Sequence, residues 1–540
     1  MTDPSKAMLE HFTALHKIGA ALSRESDTGF LLASILDAAR RVTGADGGTL
    51  YRVTDDGTAL RFAIVRCDTL VIAPDAAGMP LPDLPLYGPD GQPNDSSIAV
   101  HAAVHDRTVN LADVYEHTGF DFSAARAFDA RTGYRSKSFL TVPMRNQEGV
   151  LLGVLQLINA MDAETGEVRA FTQHEQHLAE SLASQAAIAL NNRLLITQLE
   201  QLFESFVNLI NLAIDEKSPY TGGHCQRVPE LTMMLADAAH AATDGPLAGF
   251  SMNERERYEL KIAGLLHDCG KVTTPVHVVD KATKLQTIYD RIGLVETRFE
   301  VLKRDAEIAA LRAQLALRPQ TDAAAEAHVQ QQLQDTLAGI AQDCQFLHQA
   351  NEGSESMRLE DQQRVRDIAA ARHWRNPQGV HESAITDNEL ENLTVRKGTL
   401  TAEERATINH HIVATIRMLE TLPWPQHLKN VPEYAGGHHE RMDGKGYPRG
   451  LTRAQMSWQA RMLGVADIFE SLTAADRPYK HGMTLSQALH TMRRMRDNGH
   501  IDPDLFELFV KSGVYRRYAD RFLAPEQLDA VDLSTLGWGA

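Results

Sequence analysis

The spacing of apolar residues changes character several times along the chain, and each change marks an element or a boundary. Residues 7–44 read as two helices, the second carrying Phe30, Leu31, Ile35, Leu36 and Ala39 at helical spacing. Gly48–Val53, Leu60–Arg66 and Thr69–Ala73 are short and strand-like, whereas Pro74–Asp95 is polar and rich in Pro and Gly, which predicts a loop. Ser138–Met144 and Gly149–Asn159 flank the turn-forming run Arg-Asn-Gln-Glu-Gly and predict a hairpin. A long helical pattern begins near Thr172. Helix, mixed strands, hairpin and closing helix describe an α+β domain over residues 1–190.

From Leu195 the apolar positions Leu195, Leu199, Leu202, Phe206, Leu209 and Ala213 alternate steps of four and three. That is a heptad seam. It predicts a connecting coiled-coil helix over 191–215 and a homodimer paired through it, with packing on the chain's own domain as the alternative. A second seam runs through Ile288, Ile292, Val295, Phe299, Leu302, Ala306 and Ala309, stops at Pro319, and resumes at Leu333, Leu337, Ile340, Cys344 and Leu347. Two helices joined near Pro319–Asp322 would fold back as an antiparallel hairpin, inserted over about 281–398 of a C-terminal helical domain, 216–520. Residues 521–540 are left as a tail.

Composition narrows the function classes. With 540 residues, 43% hydrophobic and 23% charged, the chain reads as several soluble globular units. Its longer apolar runs, such as Val150–Ile158, are strand-sized, so no membrane span is expected. The opening residues lack the basic-then-apolar order of a signal peptide, and Cys67, Cys225, Cys269 and Cys344 form no close pair; a cytoplasmic location follows as the expectation. The net charge of −17 argues against a nucleic-acid polymer or an anionic membrane as partner. A small anionic substrate needs only a local basic cluster.

Histidine and aspartate are grouped unevenly in the C-terminal half: His224, His267 with Asp268, His410 with His411, His438 with His439, and Asp467. Both residue types ligate divalent zinc, iron or manganese. Adjacent side chains on a helix diverge by about 100°. His267 can therefore address one ion and Asp268 a second, while Lys271 returns to the side of Asp268. The run His438-His-Glu-Arg-Met-Asp-Gly-Lys-Gly-Tyr-Pro448 sets consecutive histidines before a sharp, stiffened turn, a pattern neither a plain helix nor a plain turn requires.

With these motifs in view, the stretch from about Tyr220 to Lys480 resembles the HD-GYP phosphodiesterases of the HD metal-hydrolase superfamily. The resemblance implies an all-α catalytic domain holding divalent ions, iron or manganese, through His224, His267, Asp268, His411, His438, His439 and Asp467. Spacing from the run Leu400-Thr-Ala-Glu-Glu404 favours His411, with His410 as the alternative. Asp268 would bridge the ions, and Lys271 would neutralise phosphate charge. Arg477 and Lys480 match the family's phosphate-binding pair, Tyr447 would meet substrate, and Arg441 and Lys445 would add to the basic cluster. Tyr220 stands where some members carry a glutamate that holds a third metal, so two ions are expected. The implied reaction is hydrolysis of cyclic di-GMP to pGpG, with further cleavage to GMP as the alternative end point. Cyclic GMP-AMP is the rival substrate, and a non-catalytic signalling adaptor with protein partners is the rival class.

The first third of the chain resembles a GAF sensory domain in its element order. Members that bind cyclic nucleotides often carry an Asn-Lys…Phe…Asp-Glu signature. The matching positions here are Asn159-Ala160, Phe171 and Glu175-Gln176, which argues against that ligand in this domain.

Overall fold

Alternating side chains on one antiparallel sheet organise the N-terminal half. Helix α1 (Thr28–Thr43) leads into β1 (Ala45–Val53), β2 (Ala59–Cys67) and β3 (Leu84–Pro85). Then come α2 (Ile98–His105), β4 (Val109–Leu111), α3 (Ser123–Thr132), β5 (Phe139–Arg145), β6 (Leu151–Met161) and β7 (Val168–Arg169). The strand order is β3-β2-β1-β6-β5-β4, with β7 added on β6. Leu50 of β1 faces Leu155 of β6, which faces Val142 of β5. Period-two alternation sends Leu155 and Leu157 into one core and Val154 into another. The first core includes Leu31, Ile35 and Leu36 of α1 and Leu182, Ala186 and Leu190 of the long helix α4 (Gln173–Lys217). The second receives Ala99, Val100 and Ala103 of α2. The sheet is thus covered by helices on both faces, an α+β unit.

This computed structural model describes residues 28–70, 82–95, 97–217, 223–317, 323–353, 356–475 and 482–536. The chain forms two compact units, Met1–Phe203 and Glu204–Ala540. The first helix expected within 7–44 lies largely outside the described residues. Thr69 and Leu70 form a bend rather than the start of a strand. The cause is Asp46, whose carboxylate accepts hydrogen bonds from the Thr69 backbone (3.2 Å) and hydroxyl (2.6 Å) and turns the chain after β2. The expected loop over Pro74–Asp95 carries the short edge strand β3, paired with Ala59 and Leu60.

The second unit is built mainly of helices: α5 (His224–His240), α6 (Glu254–Leu266), α7 (Val276–Val279), α8 (Ile292–Leu317), α9 (Ala323–Asn351), α10 (Leu359–Ala371) and α11 (Asp387–Leu393). It continues with α12 (Ala402–Glu420), α13 (Val431–Gly436), α14 (Trp458–Thr473), α15 (Leu485–Asp497), α16 (Pro503–Lys511) and α17 (Val514–Phe522). Local chemistry sets several starts. Asn253 with Glu256, Thr386 with Glu389 and Thr401 with Glu404 form reciprocal capping boxes on α6, α11 and α12. Phe469 of α14 meets Phe509 of α16 at 5.0 Å and Tyr518 of α17 at 5.7 Å between ring centres, all deeply buried.

The expectation of an all-α second half needs one correction. β8 (His373–Arg375) and β9 (His381–Ser383) pair antiparallel. The turn between them is closed by Gly379, whose φ of +83° suits a residue without Cβ, donating to the Asn376 carbonyl at 2.8 Å. Helices α8 and α9 lie side by side, Gln314 bonding Gln330 near one end and His348 lying 3.5 Å from Glu296 near the other. Val295, Phe299, Ile340 and Leu347 form their shared core. Ile288 departs from the expected seam: it precedes α8 and is exposed. Ala310 is buried where Ala309 was expected, because a straight helix of 3.6 residues per turn drifts from a strict heptad.

Candidate metal centre

Three helices and two short loops bring the predicted residues together. His224 opens α5; His267 and Asp268 follow the end of α6; His411 lies in α12; His438 and His439 follow α13; Asp467 lies in α14. All are buried except His439, which is half-buried. His410 points to solvent, so of that pair only His411 reaches the centre.

Two groups of donor atoms form, each within 4.8 Å of one another: His224 with His267 and Asp268, and His411 with His438 and His439. Asp268 stands between them. Its Oδ2 is 3.1 Å from His224 Nε2 and 3.3 Å from His267 Nε2, while its Oδ1 is 3.2 Å from His411 Nε2. Asp467 Oδ1 lies 3.4 Å from His224 Nε2 and 3.9 Å from His267 Nε2.

Three of these histidines are held in one orientation by the backbone. His267, His411 and His438 each bring Nδ1 to the carbonyl three residues earlier, at Gly264 (2.7 Å), Ile408 (2.5 Å) and Ala435 (2.6 Å). Donating Nδ1–H there leaves the Nε2 lone pair turned inward, the tautomer that a metal requires. His267 Nε2 and His438 Nε2 are buried and make no hydrogen bond among the described residues. A cluster of imidazole nitrogens and carboxylates with orphaned buried acceptors fits divalent metal ions.

The electrostatics agree with a ligand set. Burial opposes ionisation of Asp268, but Lys271, His267 and His224 outweigh it and hold the carboxyl well below the usual range. Burial likewise opposes the Asp467 charge, and His224 reverses the balance. Burial, with the neighbouring His439 and His267, keeps His438 neutral, and burial pushes His439 down to about 4. Lys271 Nζ lies 2.6 Å from Asp268 Oδ2; burial works against its charge, yet Asp268 keeps it above the ordinary lysine value.

Two glycines are demanded by close approach. A Cβ on Gly270 would lie 2.0 Å from the His411 carbonyl oxygen, so the turn after Asp268 seats directly on α12. A Cβ on Gly446 would lie 2.4 Å from the Arg441 nitrogen and 2.5 Å from Glu440 Cα. That tight return puts the Tyr447 ring on His439, 4.9 Å between centres at 23°. Glu440 is buried beneath the loop and accepts from the Arg449 and Leu451 backbone at 2.7 and 2.9 Å.

Arg441 does not add a free cation: its guanidinium is paired bidentately with Asp443, at 3.0 and 2.8 Å, and Lys445 is exposed. Arg477, Lys480 and Tyr220 lie outside the described residues. One residue escaped notice in the sequence. Glu470, buried, lies 2.5 Å from His224 Nδ1 and accepts from Arg227 Nε at 2.8 Å. Its place three residues after Asp467 on α14 puts it on the same helical face, and that spacing was the available signal.

Comparison with known proteins bears on both halves. A GAF domain model matches residues 27–190, and HD domain models match 221–344 and 383–505. A cyclic di-GMP phosphodiesterase of Pseudomonas aeruginosa is 42% identical over 122 residues, 22% of this chain and 28% of that protein. A 3'3'-cGAMP-specific phosphodiesterase of Vibrio cholerae is 43% identical over 82 residues, 15% of this chain and 19% of that one. A cyclic di-GMP phosphodiesterase of Thermotoga maritima is 32% identical over 133 residues, 24% of this chain and 35% of that one. The similarity therefore spans well under half the length of these relatives.

Proposed function

We propose that this chain, in which a GAF domain is followed by HD domain segments, is a metal-dependent phosphodiesterase that opens cyclic di-GMP to pGpG, with GMP as the alternative end point. The observation that carries the reading is the pair of donor groups meeting at the two oxygens of Asp268. His224 and His267 would hold one ion and His411, His438 and His439 the other, with Asp268 standing between the two groups and Asp467 completing the set. Bound divalent ions, iron or manganese, supply Lewis-acid activation of the phosphodiester and of water. The chain does the rest. Backbone carbonyls hold the imidazoles of His267, His411 and His438 with Nε2 inward, and Glu470 fixes His224 from behind. Lys271 keeps its charge beside Asp268 for the phosphate, Tyr447 walls the site, and Arg477 with Lys480 takes up phosphate charge.

We read the domains as 1–190 sensory, 191–215 connecting, 216–520 catalytic and 521–540 tail, with α8 to α11 in a hairpin-bearing insertion over about 281–398. The connecting seam supports a homodimer. Leu199 and Phe206 are 67% and 57% exposed, while a different stripe of α4, Val207, Asn211 and Ile214, is the buried one. Regulation by the sensory domain is supported by a cavity of about 450 Å³ lined by Thr49, Phe62, Leu84, Ile98 and Tyr134. It is also supported by Lys217, the last residue of α4, which donates to the Lys271 carbonyl at 3.3 Å. Cyclic GMP-AMP is the rival substrate, favoured by the Vibrio cholerae relatives of that specificity.

The test is hydrolysis of both dinucleotides by the full chain loaded anaerobically with manganese or iron(II). Turnover is expected, and Asp268→Ala should lower kcat by about 10⁴-fold or more, as when one member of a cooperating set is removed. Bound metal with no turnover of either dinucleotide would replace the enzyme by an adaptor.

A further inference from the structure

The sensory unit carries a second convergence of metal-binding atoms, far along the sequence from the histidines described above. Helix α2 places His101 and His105 one turn apart, so both rings project from the same face. Their centres are 4.4 Å apart. Asp95, just before the helix, reaches back to both: its Oδ1 is 2.9 Å from His101 Nδ1 and 2.7 Å from His105 Nε2. The three donor atoms lie within 4.8 Å of one another. We propose that Asp95, His101 and His105 form a site for a first-row divalent transition ion such as zinc, distinct from the centre in the helical unit.

The chemistry suits such an ion. Two imidazoles and one carboxylate are borderline ligands that favour zinc, iron(II) or nickel over magnesium or calcium, and three protein ligands leave positions for water. Asp95 Oδ1 is already hydrogen-bonded to both rings, so carboxylate and imidazoles are gathered where an ion would sit. Without metal, the two rings donate N–H to the one carboxylate oxygen. On binding, each ring keeps a single proton, shifted to its other nitrogen, and the freed lone pairs face the ion. The side chains are partly exposed, at 52%, 29% and 38%, so an ion can enter from solvent with no rearrangement of the core.

The placement gives the site a consequence. Ser97 and Ile98, at the start of α2, line the 450 Å³ cavity together with Leu84. An ion tying Asp95 to α2 pins the segment entering the helix against the helix itself, and so stiffens one wall of that cavity. The sensory domain would then report transition-metal availability or require it for its ligand. This stands whether or not the helical unit is a phosphodiesterase.

The experiment compares the full chain with His101→Gln/His105→Gln and with Asp95→Asn. Each is stripped of metal, reloaded with zinc, freed of excess by gel filtration and assayed by elemental analysis; cobalt(II) is then added as an absorption probe. The double variant is expected to retain one equivalent of metal fewer than the wild type and to lose the matching part of the cobalt spectrum. Asp95→Asn should bind that equivalent more weakly. Circular dichroism and basal hydrolysis should be the same in all three, showing that fold and helical centre are intact. Equal metal content in wild type and double variant overturns the proposal, as does an extra equivalent that survives both variants.

Discussion

At the residue scale, a short sequence offset does much of the orienting. His267, His411 and His438 lie in or at the end of helical turns, so the carbonyl three residues earlier comes within reach of Nδ1. Helix geometry thereby fixes the tautomer, which is why buried histidines can wait as ligands without a dedicated partner for each. Lys284 makes the opposite case. It is 1% exposed and, among the described residues, its hydrogen-bond partners are the Leu393 carbonyl, at 3.1 Å, and the Met357 sulfur. Burial lowers its ammonium from 10.5 to about 8. Between those values the unfolded chain binds more protons than the folded one, so stability rises with pH across the window; below about 8 the full cost of the buried charge is present. Lys284→Met should therefore raise the stability of the helical unit at pH 7, on the order of 1 kcal/mol after the orphaned carbonyl is counted. Its advantage should shrink toward pH 10, measured by thermal melts at each pH. An advantage that grows with pH would contradict the account.

Among elements, α4 shows how two stripes on one helix divide their tasks. Its early turns give Leu182, Ala186 and Leu190 to the core of the sheet unit. Farther on, Val207, Asn211 and Ile214 are buried, while Leu195, Leu199, Leu202, Phe206 and Leu209 remain exposed. A row of large apolar side chains at heptad spacing is costly in water, a cost that pairing with a second copy would relieve. Leu202→Glu with Phe206→Glu should convert a dimer into a monomer in sedimentation analysis without altering the helical content. A wild-type chain that sediments as a monomer at working concentration would remove the seam reading. The elements missed in the sequence fail for the same reason in each case. Helix α2, Ile-Ala-Val-His-Ala-Ala-Val-His, is too short and too uniformly apolar for its period to show. β3 and the pair β8–β9 have two or three residues per strand and are defined by their partners, not by their own pattern.

For the whole molecule, the two units have separate cores, and the clustered histidines and aspartates of the helical unit come from segments as far apart as His224 and Asp467. An ion set that ties α5, α12 and α14 together binds the folded state only, and so adds its binding free energy to stability. Stripping metal with a chelator should lower the melting temperature of the helical unit by more than that of the sheet unit in calorimetry, and readdition of manganese should restore it. Equal shifts in both transitions, or none, would argue against a centre that spans these helices.

Sequence alone determined the element types wherever periodicity was long, and it singled out the histidines and aspartates that the fold brings together, because adjacent His-Asp and His-His pairs and the Gly-Tyr-Pro turn are rare patterns with few purposes. It favoured His411 over His410 only by spacing from Leu400–Glu404, since neighbours in sequence differ in which way the helix turns them. Only the tertiary structure decided that His411 faces inward, that Asp268 stands between two groups of donors, that Glu470 backs His224, and that Asp443 takes the charge of Arg441. It also decided that Asp95 meets His101 and His105. Periodicity and motif are properties of neighbours along the chain, whereas charge pairing and convergence on one point are set by residues that meet only when distant segments pack.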